Sequence, residues 1–143
     1  MLRWDVLPKK EVYVGNVRFC VQGDVLFLRP VGEFVLEQAQ CFCRLAAEIS
    51  TQYGHSFILV DLKEAGPIPA DARRLLAEVA SGQPLLAIAM YHVSPFLRGM
   101  NALLFGAMNV LGKKRQNMMQ FSTEKAAVEW LEAERKRLLP TPK

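Results

Sequence analysis

Apolar positions alternate in short stretches over the first thirty residues, then settle into helical stripes separated by unbroken apolar runs. Glu11 to Val14 and Val17 to Gln22 flank Gly15-Asn16, a two-residue hairpin signal. A second turn at Gly23-Asp24 leads into Val25 to Arg29, which Pro30 and Gly32 end. These segments predict a three-stranded antiparallel meander. From about Glu33 to Tyr53 the spacing lengthens: Val35, Ala39, Phe42, Ala46, Ile49 and Tyr53 keep the three-four repeat of one buried helical stripe. Glu37, Cys41, Arg44 and Glu48 then fall on the wet side, and Gly54 follows as a left-handed cap.

Phe57 to Val60 is too short an apolar run for a helix, and it closes on Asp61-Leu62. That is the pattern of a strand covered on both faces. Pro69 and Asp71 suit the first turn of a helix whose apolar positions are Ala72, Leu75, Leu76 and Val79, ended by Ser81-Gly82 and Pro84. Leu85 to Tyr91 is a second buried strand, predicted to lie beside Phe57–Leu62 and parallel to it. A helix over 95–111, a weak strand at Met118 to Phe121 and a last helix from a Ser122 cap complete the order. Ala127, Trp130, Leu131 and Leu138 lie on or near the inner face of that last helix. Strands alternating with helices require crossovers and a parallel run. The expected fold is therefore α/β: a mixed sheet, an antiparallel meander plus parallel strands, with about four packed helices. At 143 residues the chain suits a single domain, with a core over about 11–138.

The stretch from Gly99 to Gly112 has only Asn101 and Asn109 as polar side chains, and it is shorter than the about 20 residues that cross a bilayer. A helix apolar nearly all round buries more than one face. Three readings stand for residues 95–111: a core or homodimer contact, the wall of a pocket for an apolar, lipid-like ligand, and a membrane-surface patch helped by Lys113, Lys114 and Arg115. Met100, Leu104, Phe105 and Met108 are its candidate contact residues.

The net charge of +4 is concentrated at Lys9-Lys10, Lys113-Lys114-Arg115 and Arg135-Lys136-Arg137. Such short runs at element ends read as solvated caps, not as a nucleic-acid face, so no nucleic-acid partner is expected. Three cysteines, two of them only two positions apart within a helix, favour thiols in a reducing, cytoplasmic compartment. No signal-peptide core or transmembrane segment is expected, because Trp4, Asp5, Pro8, Lys9 and Lys10 interrupt the start.

Candidate chemistry is sparse. His55 is expected to be exposed in a turn. His92 follows a central strand, two residues before Ser94, with Asp61 at the end of the neighbouring strand. A Ser-His-Asp triad would also need an oxyanion hole and a nucleophile elbow, and Ser94 is followed by Pro95, the pattern of a helix cap. Asp61 is expected to accept hydrogen bonds from the loop that follows it, with Lys63 and Glu64 facing solvent. Cys41 is expected to be an exposed thiol beside Arg44. No phosphate loop, dinucleotide fingerprint or zinc spacing occurs, so no enzyme activity, cofactor or metal is expected.

FILVDL before a loop and helix, PADARRLL, LLAIAMYHVS and FSTEKAAVEWLEAE resemble the STAS domains of sulfate transporters and anti-sigma-factor antagonists. The likeness is nearest to their diverged bacterial, SpoIIAA-like branch, which is related to the CRAL-TRIO fold. It implies a non-catalytic module that binds a protein, or a small ligand near the strand ends. The antagonists resemble Asp-Leu-Ser, a spacer, then Asp-Ser, whose last serine is phosphorylated. Here Asp61-Leu62 match, but that serine falls near Pro69-Ala70, and no hydroxyl lies between Ser56 and Ser81. The candidate interaction or ligand surface is Asp61, Lys63, His92 and Ser94 together with the four apolar residues of 95–111.

Overall fold

The computed structural model describes residues 9–82, 84–93 and 117–139. The two glycine turns fold the first segment back on itself: β1 (Lys9–Val14), β2 (Val17–Gln22) and β3 (Val25–Arg29) form an antiparallel meander in which Val14 faces Val17 and Gln22 faces Val25. Gly15 and Gly23 take φ of 58° and 61°, the left-handed backbone these tight turns need. Helix α1 (Leu36–Tyr53) then carries the chain to β4 (Ser56–Asp61), which pairs in parallel with β3. Helix α2 (Ala70–Gly82) leads to β5 (Leu85–Tyr91), parallel to β4, and β6 (Met118–Phe121) is parallel to β5. Helix α3 (Glu124–Leu138) closes the described chain. The six strands lie in sequence order, so β4 and β5 are interior and parallel, as their apolar runs predict.

Both faces of that sheet are covered, which is why β4 is buried at every position. Val17, Phe19, Leu26, Leu28, Ile58, Val60, Ile88 and Met90 project to the side of α1 and α2. Val25, Phe57, Leu59, Ala87, Ala89 and Tyr91 project to the other side, where Ala127 and Leu131 of α3 meet them. Three helices lie among the described residues, against about four expected, and the expected helix over 95–111 lies outside them.

The buried stripe of α1 is rotated from the expected one. Gln38, Ala39, Cys41, Leu45, Ala46 and Ile49 are buried, while Tyr53 is 42% exposed and Val35, at the cap, 37%. Cys41 is thus a buried thiol and not an exposed one. Helix α1 lies over β1 and β2 as well as β3 and β4, and on the Cys41 side Gln38 reaches Val14 and Glu48 pairs with Lys10 of β1, so the meander widens the buried arc past the stripe that spacing alone suggests. Gln38 holds the helix start. Its Oε1 accepts from Val35 N at 2.9 Å and its Nε2 donates to Val14 O at 3.1 Å, tying α1 to the end of β1. Gly54 caps the far end at φ 81°, its N–H on Ser50 O at 2.7 Å. The cap of α3 is Thr123, one residue beyond the expected Ser122. Its Oγ1 accepts from Ala126 N at 3.2 Å, reaching the third residue of the helix.

Candidate functional site

Parallel strands β3, β4 and β5 end together, and their last residues carry the polar groups. Arg29 ends β3, Asp61 ends β4, and His92 follows Tyr91 at the end of β5. Strand register brings Asp61 opposite Tyr91. Asp61 is buried, and its Oδ1 accepts from the backbone N–H of Lys63 at 3.0 Å, the strand-end turn its sequence context predicts. The same oxygen lies 3.1 Å from His92 Nδ1. A carboxylate oxygen accepts, so this contact is a hydrogen bond in the tautomer that carries the proton on Nδ1. On the other side, Arg29 Nε is 3.9 Å from Asp61 Oδ2, and Arg29 Nη2 is 3.5 Å from Glu64 Oε1. Lys63 and Glu64 face solvent, as expected, and His92 is partly exposed.

The backbone around this cluster is held in an unusual way. His92 has φ of 58°, a left-handed conformation that is uncommon for a residue with a Cβ. Such strained residues collect at functional sites more often than elsewhere. The two loops after β3 and β4 are zipped to each other: Gly32 N donates to Glu64 O at 2.8 Å, Gly66 N to Gly32 O at 2.7 Å, and Phe34 N to Pro67 O at 3.0 Å. The approach is close enough that a Cβ on Gly66 would stand 2.9 Å from the carbonyl carbon of Gly32. The loop from Leu62 to Pro69 is therefore preformed. It leads into α2, where Asp71 sits in the favourable first turn with its Oδ1 accepting from Ala72 N at 2.7 Å.

Tyr91 lies beneath the cluster, fully buried. Burial, reinforced by the Asp61 and Glu124 carboxylates, holds its phenol above the ordinary range, so it stays neutral. Ser94, Met100, Leu104, Phe105 and Met108 lie outside the described residues. Of the expected site residues, the fold thus brings together Asp61, His92 and the backbone of Lys63. Arg29 was missed. Its only sequence signal is a charged residue between an apolar strand and Pro30.

A second polar cluster stands at the opposite, amino end of β4, where sequence reasoning placed only exposed groups. Asp24, in the turn before β3, is buried and accepts a bidentate pair from Arg135 of α3, one bond at 2.7 Å from Nη1 and the other from Nη2. His55 Nε2 meets the same carboxylate at 2.7 Å. Arg135 also lies over the Phe57 ring, 4.7 Å from its centroid. Burial works against the charge on Asp24, but the Arg135 and His55 hydrogen bonds outweigh it and hold the carboxyl below its ordinary value. His55 is thus not exposed, and Arg135 is not a solvated cap. Residues 111 positions apart in the chain make this contact, and helical or strand periodicity carries no signal for it.

Among the described residues, no group of three or more His, Cys, Asp or Glu side chains could hold a metal ion, and no helix is long and apolar enough to cross a membrane. No protein-family profile matches the chain, and no curated protein is similar enough in sequence to register as a relative. Solved structures do match it. An uncharacterized protein from Shewanella loihica with a SpoIIAA-like fold is 13% identical, with 87% of this chain and 93% of that one covered at a TM-score of 0.54. A candidate anti-sigma factor antagonist from Thermotoga maritima is 16% identical over 88% and 94% of the two chains, with a TM-score of 0.51. A sulfate transporter family protein from Wolinella succinogenes is 18% identical over 80% and 89%, also at 0.51. The chain has the SpoIIAA-like fold, the fold of the STAS domains.

Proposed function

We propose that this chain is a non-catalytic regulatory module, acting as a single domain. It would bind a protein partner through the carboxyl-end loops around Asp61, Lys63 and His92, without a phosphorylated serine. The observation that carries the reading is the preformed ladder between residues 32–34 and 64–67. A loop already ordered in the free protein loses little conformational entropy when a partner docks. The polar groups beside it suit recognition better than reaction. Asp61 is occupied by its own loop and by His92, and Tyr91 is neutral and buried. The fold supports the same reading, since one matched structure is a candidate anti-sigma factor antagonist.

The segment between Ser56 and Ser81 has no hydroxyl to take phosphate. Partner binding here would then depend on the partner or on this chain's conformation. A cytoplasmic, reducing setting suits the three thiols.

Native mass spectrometry with cross-linking on freshly purified protein tests the reading. The expected result is a complex with a second protein, cross-linked through Lys63. A monomer carrying an apolar small molecule would overturn it in favour of a ligand carrier built on residues 95–111. A homodimer lost in a folded Leu104→Glu variant would place a subunit contact on that segment.

A further inference from the structure

Strand β1 is the outermost strand of the sheet, and among the described residues only β2 pairs with it. Its register with β2 is unbroken from Lys9↔Gln22 to Val14↔Val17, with no bulge to turn the edge away. The two-residue turn at Gly15-Asn16 sets the phase of the ladder. Val14 and Val17, which flank the turn, exchange both backbone bonds, and so do the alternate pairs at Val12 and Lys10. Lys9, Glu11 and Tyr13 therefore aim their N–H and C=O groups away from β2, at the open edge. Side chains alternate as well. Val12 and Val14 pack on the α1 side, and Lys10 turns there too, its Nζ 3.8 Å from Glu48 Oε2. Glu11 and Tyr13 lie on the other face, and Tyr13, at 64%, is the most exposed large apolar side chain among the described residues.

We propose that β1 pairs with β1 of a second copy of this chain, antiparallel about a two-fold axis at Val12, so that two sheets become one. An axis perpendicular to the sheet keeps every side chain on its own face, so it must pass beside a residue and not between two. Centring it on Lys10 or Glu11 opposes that charge to its own copy, which is destabilising. Centring it on Tyr13 carries Lys9 and Lys10 past the end of the facing strand. Val12 is the centre that remains, and it leaves no like charges opposed. It sets Glu11 opposite Tyr13 of the second copy. Both belong to the outward-facing set, so they exchange both backbone bonds, and the two-fold repeats the pair. The Tyr13 hydroxyl, 3.4 Å from its own Glu11 Oε2, then faces a carboxylate of the second copy. Strands β2 and β3 separate β1 from β4, so this pairing leaves Asp61, Lys63 and His92 uncovered and gives the dimer two such surfaces.

Amide exchange and sedimentation on the full-length chain test the pairing. Protection of the Glu11 and Tyr13 amides is expected to rise with protein concentration, in step with mass, while the Val12 amide, bonded to β2, stays protected throughout. Equal protection of Glu11 and Tyr13 at every concentration would mean that another segment of the same chain, such as residues 1–8, covers the edge, and that overturns the proposal. So does a chain monomeric up to about 1 mM, which leaves the edge to a strand of another protein. Tyr13 is exposed, so its variants should fold. Tyr13→Glu opposes a like charge to Glu11 twice and should raise the dissociation constant of the dimer about tenfold. Tyr13→Lys places an opposite charge there and should keep the dimer at least as tight. Equal weakening by both would disprove the register. A dimer that Tyr13→Glu leaves intact and a folded Leu104→Glu variant loses would overturn the pairing in favour of a contact on residues 95–111.

Discussion

Replacing Arg135 by Met isolates the polar contact that fastens α3 to the sheet. Methionine keeps an unbranched apolar side chain at this position and removes the guanidinium. Two charge-assisted hydrogen bonds to Asp24 disappear, together with the cation stacked 4.7 Å from the Phe57 centroid. Asp24 remains buried with His55 alone. Breaking a buried ion pair by removing one partner costs about 3–5 kcal/mol. Because the Arg135 side chain keeps 22% exposure, the low end applies, and about 3 kcal/mol is expected. With a urea m-value of about 2 kcal/mol/M, the unfolding midpoint should fall by about 1.5 M. The loss should also depend on pH. Asp24 has a depressed carboxyl in the folded state, so its stabilisation is complete above the unfolded value near 3.9 and disappears as pH falls through the lower folded value. The gap between wild type and variant is expected to narrow as pH falls below about 4. Urea titrations followed by circular dichroism at several pH values measure both. A loss below about 1 kcal/mol, the worth of an exposed pair, would refute the reasoning, because it would mean that solvent reaches Asp24.

Gly66→Ala should destabilise by about 1–3 kcal/mol, because the new Cβ meets the Gly32 backbone and not a flexible side chain. Gly32→Ala should cost only about 1 kcal/mol, from its φ of 70° in open space, and thermal melts of the two variants compare them. Thr123→Ala should lose about 1 kcal/mol through the α3 cap, whereas Ser122→Ala should be near neutral by the same melts. Burial pushes the Cys43 thiol up to about 11, so at pH 8 a thiol reagent should modify it far more slowly than a free cysteine; a rate equal to that of free cysteine would contradict its burial.

Element order was legible in the chain because each element carries its own period. The apolar runs at Phe57–Val60 and Leu85–Tyr91 could only be doubly covered strands, and they are the sheet's parallel interior. Gly15, Gly23 and Gly54 marked turns and a helix end by a conformation that other residues avoid. Asp61 could be read as a strand-end acceptor, since its partner, Lys63 N, is two residues away. Signals of that kind are local, and they survive without a fold.

What only the tertiary structure decided are contacts between distant segments. Cys41 is buried because α1 lies across the β1 side of the meander, where Gln38 and Glu48, one turn before it and two turns after it, reach Val14 and Lys10, neighbours that the periodicity of one helix cannot contain. His55, Asp24 and Arg135 look like three surface residues in sequence. They became one buried network because parallel pairing starts β4 beside the Asp24 turn, where Phe57 N meets Asp24 O, and α3 crosses the opposite face of the sheet there. The Gly32–Gly66 ladder and the placing of Arg29 beside Asp61 follow from the same pairing of β3 with β4. Burial converts a charge from a solvated group into one that must find a partner, and only the packed chain determines which charges are buried.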